Sequence, residues 1–90
     1  MKAICYTNQF KRDYKKRQRE KGVDDLLDFV FKNLSEEKSA LPVKFRDHPR
    51  KGDYKGCREC HLRPDLLLIY VLTSTEIRFI RLGSHSELFR

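Results

Sequence analysis

The sequence has no apolar run near the roughly 20 residues that a membrane-spanning helix needs. Residues 1–9 contain one lysine but neither an apolar segment nor a small-residue cleavage site, so we predict no signal peptide. We therefore expect a cytoplasmic protein that has no membrane partner. Repeats, low-complexity stretches and linkers are missing too, and the 90 residues suit a single domain over positions 1–90.

Cysteine is scarce and odd in number, at positions 5, 57 and 60. An odd count without an export signal argues against a disulfide framework, so we expect reduced thiols. Cys57-Arg58-Glu59-Cys60-His61 matches the C-x-x-C-H pattern of covalent haem attachment. We reject haem because attachment requires export, and because strand residues three apart point to opposite faces. A zinc site fails on the same geometry and lacks a clear fourth ligand, so we expect these cysteines to pack as small apolar residues.

Positive charge is in excess, with 20 Lys and Arg against 13 Asp and Glu and a net charge of +7. This balance favours an anionic partner, either nucleic acid or an acidic protein. Residues 1–22 carry eight basic and two acidic side chains and residues 41–65 carry seven and four, whereas residues 23–40 carry two and five. Two basic segments therefore flank an acidic one. The stretch 11–21 fits either a solvated helix face or a track for phosphates.

The first part of the sequence predicts a strand and two helices. Residues 2–6 form a short apolar strand, and Thr7 or Asn8 is a suitable cap for a basic helix that ends at Gly22. Apolar residues at helical spacing over 23–34 predict a second helix, with acidic residues in its first turns. A short turn joins the two helices, so we expect an antiparallel helical hairpin.

The second part predicts three strands after a long polar connection over residues 35–53. The strands cover residues 54–61, 65–72 and 76–82, with turns at Arg63-Pro64 and Thr73-Ser74-Thr75. Residues 66–72 show no alternation of apolar and polar side chains, which predicts a central strand buried on both faces. The fold class is therefore α+β, in the order β-α-α-β-β-β, with an antiparallel sheet packed against an N-terminal helical hairpin.

The three histidines, His48, His61 and His85, lie where the predicted chain reverses or where a strand ends. Histidine is the only side chain whose ordinary pKa lies near neutrality. If the strands are joined by short hairpins, the second and last strands end at the same edge of the sheet, which places His61, His85 and Asp65 close together. A solvated imidazole is the ordinary interpretation of any one of these histidines. Their convergence favours a shared site.

Such a cluster suits the cleavage of RNA, because the ribose 2′-OH is a built-in nucleophile. One group must remove its proton, another must protonate the leaving 5′ oxygen, and cations must stabilise the charge on the phosphate. Arg81, Arg58 and Lys51 are the cations expected nearby. The reaction requires no metal or cofactor, and its products would be a 2′,3′-cyclic phosphate and a 5′-hydroxyl.

Alternatives remain open at this stage. Asp65 fits either the cap of a strand or turn, or a group that orients an imidazole or accepts a proton. Phe89 fits either a core anchor or a platform on which a base stacks. For the whole chain, the charge also fits a nucleic-acid-binding module without catalysis, or a protein-interaction domain that receives an acidic partner.

An ordered series of segments in the second half resembles the YafQ branch of the RelE/ParE superfamily of type II toxins. The segments are Asp47-His48-Pro49, Gly52-Asp53-Tyr54-Lys55-Gly56, Arg58-Glu59-Cys60-His61, Pro64-Asp65-Leu66-Leu67-Leu68-Ile69-Tyr70, and Arg81-Leu82-Gly83-Ser84-His85 through Leu88-Phe89. The resemblance implies an mRNA endonuclease that acts on transcripts at the ribosome. It also implies a co-expressed DinJ/RelB-like antitoxin that neutralises the toxin in a tight complex.

The resemblance assigns catalytic positions to His48, His61, Asp65 and His85. By analogy, His85 is the general acid, while the other three form the base and orienting side. The residues expected to bind substrate are Arg81, Phe89, Arg58, Lys51 and Glu59. Glu59 stands where relatives can carry aspartate.

Overall fold

The computed structural model describes residues 2–36, 41–50, 54 and 56–89. The elements are β1 (Ala3–Tyr6), α1 (Asn8–Arg17), α2 (Val23–Ser35), β2 (His48–Pro49), β3 (Arg58–Arg63), β4 (Leu66–Leu72), β5 (Glu76–Gly83) and α3 (His85–Leu88), with a 3-10 turn at Val43–Phe45. The α+β class and the predicted order of one strand, two helices and three strands are confirmed. The structure adds the short strand β2 and the one-turn helix α3, and β3 begins at Arg58, four residues later than predicted.

The five strands form one sheet in the order β1-β5-β4-β3-β2. Strands β3, β4 and β5 pair antiparallel, as predicted, and the added strand β2 also pairs antiparallel to β3. Strand β1 instead pairs parallel to β5, so the expectation of a purely antiparallel sheet is wrong for this strand. The physical reason is the connection that follows β1: the two helices cross over one face of the sheet, and such a crossover permits parallel pairing.

Strand β4 is central and buried on both faces, as its unbroken apolar run predicts. Leu66, Leu68 and Tyr70 belong to the main core beneath the helical hairpin. Leu67 and Ile69 point the other way and pack in a smaller cluster with Leu88 of α3, Tyr54, Cys57, Ile80 and Phe89. We call this side, which α1 and α2 leave uncovered, the second face of the sheet. It carries the histidines described below.

The helical hairpin forms because its apolar residues recur on one side. Val23, Leu27, Val30 and Leu34 follow helical spacing along α2 and are all buried against the sheet. Gly22 separates the two helices in the left-handed conformation, at φ 85°, which glycine adopts without a steric penalty. No helix in the described ranges is long and apolar enough to cross a membrane.

The two cysteines of the C-x-x-C-H segment pack on opposite faces of the sheet, as predicted. Cys60 has no exposed surface and lies in the main core, whereas Cys57 packs against the cluster on the second face. Burial raises the pKa of the Cys60 thiol above its ordinary range. The two thiols therefore do not form a joint haem or metal site.

Candidate functional site

A buried carboxylate lies at the centre of the second face. Glu59 of β3 is paired across the strands with His48 of β2 and with Ile69 of β4, and its side chain is only 3% exposed. Its Oε2 atom lies 3.4 Å from Nε2 of His48 and 3.2 Å from Nε2 of His61. Two imidazoles therefore meet at one carboxylate oxygen.

Arg50 contacts the other oxygen of Glu59, with Nη1 3.2 Å from Oε1. No donor in the described part of the chain is aligned for a hydrogen bond to that oxygen, so the contact is an ion pair. Arg50 reaches this position because its main-chain N–H donates to the carbonyl of Cys57 at 2.9 Å, which extends the pairing of β2 and β3. His48 and Arg50 are two residues apart in extended chain and so share a face.

The ring of His48 is oriented by the main chain. Its Nδ1 lies 2.6 Å from the carbonyl oxygen of Arg46, which can only accept, so Nδ1 carries a proton and donates it. Arg46 has a left-handed backbone at φ 49°, which is uncommon for a residue with a side chain. This conformation directs the carbonyl at His48 and leaves Nε2 facing Glu59.

His85 begins α3 and is held by Asp65. The main-chain N–H of His85 donates to Oδ1 of Asp65 at 3.1 Å, and its Nδ1 lies 3.0 Å from the same oxygen. These bonds, the side-chain one first, lower the pKa of the Asp65 carboxyl. Asp65 therefore fixes the ring and leaves Nε2 of His85 available to a substrate.

The three imidazoles form a row. The ring centroids of His48 and His61 are 6.3 Å apart, and those of His61 and His85 are 5.7 Å apart. We call these three residues the histidine row. The structure thus brings together His48, His61, His85 and Asp65, although Asp65 contacts only the His85 end of the row.

Phe89 continues the row beyond His85, at a centroid distance of 6.2 Å. The guanidinium carbon of Arg50 lies over its ring at 4.2 Å, and Tyr54 meets it edge-on at 5.9 Å. The ring packs against the cluster of the second face and is half-buried. Phe89 is therefore both an anchor and a partly exposed aromatic surface beside the histidines.

Arg81 of β5 also lies on the second face of the sheet, but it is not part of the histidine row. Its Nη1 lies 3.3 Å from the hydroxyl of Tyr54, which in turn contacts Phe89. On its other side it is paired with Asp13 of α1, which raises the pKa of the guanidinium. Arg81 therefore stays charged at the border of the site.

One expected substrate-binding cation, Arg58, lies away from the histidine row. Arg58 pairs across the strands with Tyr70 and so points to the helical face, where its Nε and Nη2 atoms lie 3.2–3.3 Å from the carboxylate of Asp47. The hydroxyl of Tyr70 donates to the same carboxylate at 2.6 Å. Arg58 thus forms a structural ion pair with Asp47 on the opposite side of the sheet. Lys51 lies outside the described residues.

Sequence reasoning missed Arg50, Tyr54 and Asp13. The spacing of His48 and Arg50 was a usable signal, because alternate residues of an extended segment share a face. The position of Tyr54 depends on packing against Phe89, and that of Asp13 on a contact 68 residues away in sequence. Neither contact has a local pattern.

Three of the side chains also form a donor set that fits a metal ion. Ligand atoms of Glu59, His61 and His85 lie within 4.8 Å of one another in the described part of the chain. Two imidazole nitrogens and one carboxylate oxygen suit zinc, copper or iron, and three protein ligands leave a coordination position open. The only sequence pattern that suggested a metal, the rejected Cys57-to-His61 segment, shares His61 and Glu59 with this donor set.

The described part of the chain has cavities at its surface. One of about 710 Å³ lies between β1, α1 and α2 and is lined by apolar side chains such as Ile4, Phe10 and Phe31. A second, of about 400 Å³, begins at His61 and follows the outer edge of β3 towards Arg46 and Pro64. We call this second cavity the edge groove.

Comparison with known proteins defines the class. Residues 2–90 match the family described as the bacterial toxin of a type II toxin-antitoxin system, YafQ. The mRNA interferase toxin YafQ of Escherichia coli K12 is 37% identical over 86 residues, covering 96% of this chain and 94% of the relative. The protein is thus a toxin of the type II toxin-antitoxin class. It belongs to the YafQ family.

Solved structures agree over the whole length. The crystal structure of the Escherichia coli DinJ-YafQ complex matches with a TM-score of 0.85 at 36% identity and covers 100% of both chains. A metal-bound toxin from Helicobacter pylori matches with a TM-score of 0.87 at 42% identity and covers 99% of this chain and 100% of that one. The fold described above is therefore the fold of this family.

Proposed function

We propose that the protein is an endoribonuclease that cuts mRNA, and that the histidine row is its active site. One observation carries the proposal: two imidazole–carboxylate systems, one built on Glu59 and one on Asp65, lie side by side on one face of the sheet. A general base and a general acid on either side of one phosphate are what cleavage of RNA by its own 2′-OH requires.

His85 is the proposed general acid. Asp65 accepts from its Nδ1 and its main-chain N–H, so Nε2 is the atom that gives its proton to the leaving 5′ oxygen. Of the two roles that the sequence left open for Asp65, we therefore propose orientation of an imidazole, that of His85, and not acceptance of a proton from the substrate. The side chain of Asp65 is 69% exposed, so it lies at the surface, where it can orient the ring of His85.

The proposed base side consists of His48 and His61 with Glu59 behind them. An imidazole removes the proton of the 2′-OH, the O2′–P bond forms, and the P–O5′ bond breaks as His85 protonates the leaving oxygen. The products are a 2′,3′-cyclic phosphate and a 5′-hydroxyl. Glu59 is too deeply buried to meet the substrate, so it orients the two rings instead of binding RNA. Arg81 is the proposed partner of the phosphate charge.

The reaction as proposed needs no metal. The relative from Helicobacter pylori was solved metal-bound, and in this chain Glu59, His61 and His85 would hold such an ion. A bound metal would supply Lewis-acid chemistry, but it would also occupy the nitrogens that the proton transfers require. We therefore expect cleavage to persist in EDTA and to slow when Zn²⁺ or Cu²⁺ is added.

The proposed partners are mRNA on the ribosome and a DinJ/RelB-like antitoxin. The relative from Escherichia coli was solved as a complex with DinJ, and the net charge of +7 suits both an acidic protein and RNA. A cytoplasmic location, where translation takes place, stays a prediction.

Mapping of mRNA ends in a purified translation reaction tests the proposal. His85→Gln keeps a hydrogen-bond donor of similar reach but cannot exchange a proton near neutral pH. Ser74→Ala, at the exposed turn between β4 and β5, is the control. We expect new 5′-hydroxyl ends with the unmodified protein and the control, and a loss of at least about 100-fold with His85→Gln. Equal cutting by all three proteins, or none by any, contradicts the histidine mechanism and favours a non-catalytic binding module.

A further inference from the structure

We propose that the edge groove is the subsite for the nucleotide on the 5′ side of the cleaved bond, and that it sets a sequence preference at that position. This inference rests on the proposed function. The volume of the edge groove, about 400 Å³, falls in the range of roughly 300–1,000 Å³ that is typical of cavities that hold small ligands.

The groove exists because β2 is short. Strand β2 pairs with β3 only through His48 with Glu59 and Pro49 with Arg58. Within the described residues, no strand pairs with the rest of that edge, so about half of the main-chain N–H and C=O groups of residues 60–63, those that do not point towards β4, face the groove. The chain turns at Arg46, which is left-handed, and the preceding 3-10 turn, which contacts β3, forms the opposite wall.

The lining of the groove suits a nucleotide. Its floor is apolar, formed by Leu26, Phe45 and Leu62, each from a different element. Its walls carry the cations Lys44 and Arg46, both of which are exposed, and their charge complements a phosphate. A base can therefore rest on the floor while its phosphate lies between the cations.

Arg63, a third cation at the groove, is already engaged. It forms an ion pair with Glu20 at 3.1 Å and donates to the carbonyl of Lys21. It ties the end of β3 to the turn between the helices. The groove therefore relies on Lys44 and Arg46 for its attraction to RNA.

The direction of the RNA follows from the order of the side chains. His61 is a member of both the histidine row and the lining of the groove, while His85 and Phe89 lie towards β5, on the other side of it. The acid, His85, must face the leaving 5′ oxygen, which belongs to the nucleotide on the 3′ side. The base side must face the 2′-OH of the 5′ nucleotide, so that nucleotide lies next to His61 and extends into the groove.

Sequence preference follows from the open strand edge. Single-stranded RNA is recognised through hydrogen bonds to the edges of splayed bases. The unpaired main-chain groups of β3 offer such bonds at fixed positions, whereas a purely ionic track would hold every sequence equally. The groove thus predicts a preference immediately 5′ of the cut.

The test substitutes Arg46 without disturbing its backbone. Asn tolerates the left-handed conformation, so Arg46→Asn removes the cation and keeps the turn. Arg19→Asn removes the same charge from the exposed turn after α1 and is the matched control. Rates are compared on short RNAs that differ only in the base 5′ or the base 3′ of the cut. We expect Arg46→Asn to slow the cutting of all these RNAs about tenfold because it removes a phosphate contact, and Arg19→Asn to slow none of them, while the preference at the 5′ position, which the main-chain groups of β3 set, remains in both variants.

A binding measurement separates this proposal from the proposed function. An RNA carrying one 2′-deoxynucleotide at the cut site cannot react, and its binding is followed through the amide NMR signals of Arg46 and Leu62. Shifts of these signals with RNA support the groove even if the unmodified protein never cuts. Cutting without such shifts, or an equal and unspecific loss of rate in Arg46→Asn and Arg19→Asn, overturns the groove while the active site stands. Shifts with the antitoxin alone identify a protein-docking edge and also overturn it.

Discussion

The carboxylate of Asp13 on α1 forms an ion pair with the guanidinium of Arg81 on β5. Oδ2 lies 2.7 Å from Nε and Oδ1 lies 3.2 Å from Nη2, while Oδ2 also accepts from the main-chain N–H of Leu82 at 3.0 Å. Asp13 is only 7% exposed. One buried carboxylate thus joins the first helix to the last strand and fixes the plane of the arginine beside the site.

Replacing Asp13 with Asn should reduce both stability and turnover. The amide keeps the shape of the side chain but removes the charge that faces Arg81. Breaking a buried ion pair lowers the free energy of unfolding by roughly 3–5 kcal/mol, and we expect a loss of about 2 kcal/mol here because the arginine is partly exposed. Urea unfolding measures this loss. If the pair positions Arg81 for the phosphate, kcat falls while KM changes little. Asp28→Asn, which breaks the exposed pair with Lys32, is the control and should alter neither. A loss of stability with unchanged kcat would leave Asp13 a purely structural anchor.

Glu87 should make the stability of the protein depend on pH. The main-chain N–H of Ser84 and then the Arg17 guanidinium lower the pKa of the Glu87 carboxyl. A carboxyl with a lowered pKa in the folded state stabilises the fold above its unfolded pKa of about 4.3, and this contribution is lost as the pH falls through the folded pKa. The melting temperature of Glu87→Gln should therefore lie below that of the unmodified protein at pH 7, and the difference should shrink as the pH falls below about 4.3 and on through the lower folded pKa. A difference that stays constant as the pH is lowered would contradict this account.

Asp65→Asn should slow the reaction without unfolding the protein. Asp65 holds His85 through two hydrogen bonds, but its side chain is mostly exposed and contributes little packing. Without the carboxylate the ring of His85 rotates more freely but can still donate its proton, so we expect kcat to fall about tenfold, less than the roughly 10²–10⁴-fold that a whole positioned proton transfer contributes. Single-turnover cleavage and thermal melting are measured together. An unchanged rate would remove Asp65 from the mechanism.

Phe89→Leu should weaken substrate binding. The leucine keeps the anchor against Tyr54 but lacks the aromatic face, and stacking of one base contributes about 1–3 kcal/mol. We therefore expect KM to rise about tenfold with a smaller change in kcat. Tyr6→Leu, which replaces an exposed aromatic residue on β1, at the edge of the sheet farthest from the edge groove, is the matched control. If both variants raise KM equally, the effect is not one of base stacking.

Much of the fold was predictable because its signals are local. The unbroken apolar run of β4 and the helical spacing of α2 each depend on a few consecutive residues. Even α3 has a local signal, since Ser84 and Glu87 stand at the three-residue spacing of a capping box. The parallel pairing of β1 with β5 is a contact across most of the chain and leaves no local trace.

The candidate site was predictable in part for the same reason. The antiparallel order of β3, β4 and β5 was enough to bring His61, His85 and Asp65 to one edge. The face of the sheet to which each side chain points was not predictable, because it depends on the register of β3. In the observed register, Arg58 points towards the helices and its neighbour Glu59 points towards the histidines.

The one-turn helix α3 has a thermodynamic consequence. It presents His85 at its first position and Phe89 at its end, yet a single turn of helix has no stability of its own. Its attachment depends on Asp65, on the capping box and on the ion pair between Arg17 and Glu87. Local opening of this turn costs less free energy than global unfolding. Activity should therefore be lost at a lower temperature than that at which the sheet unfolds, so heating can inactivate the protein while most of its fold stays intact.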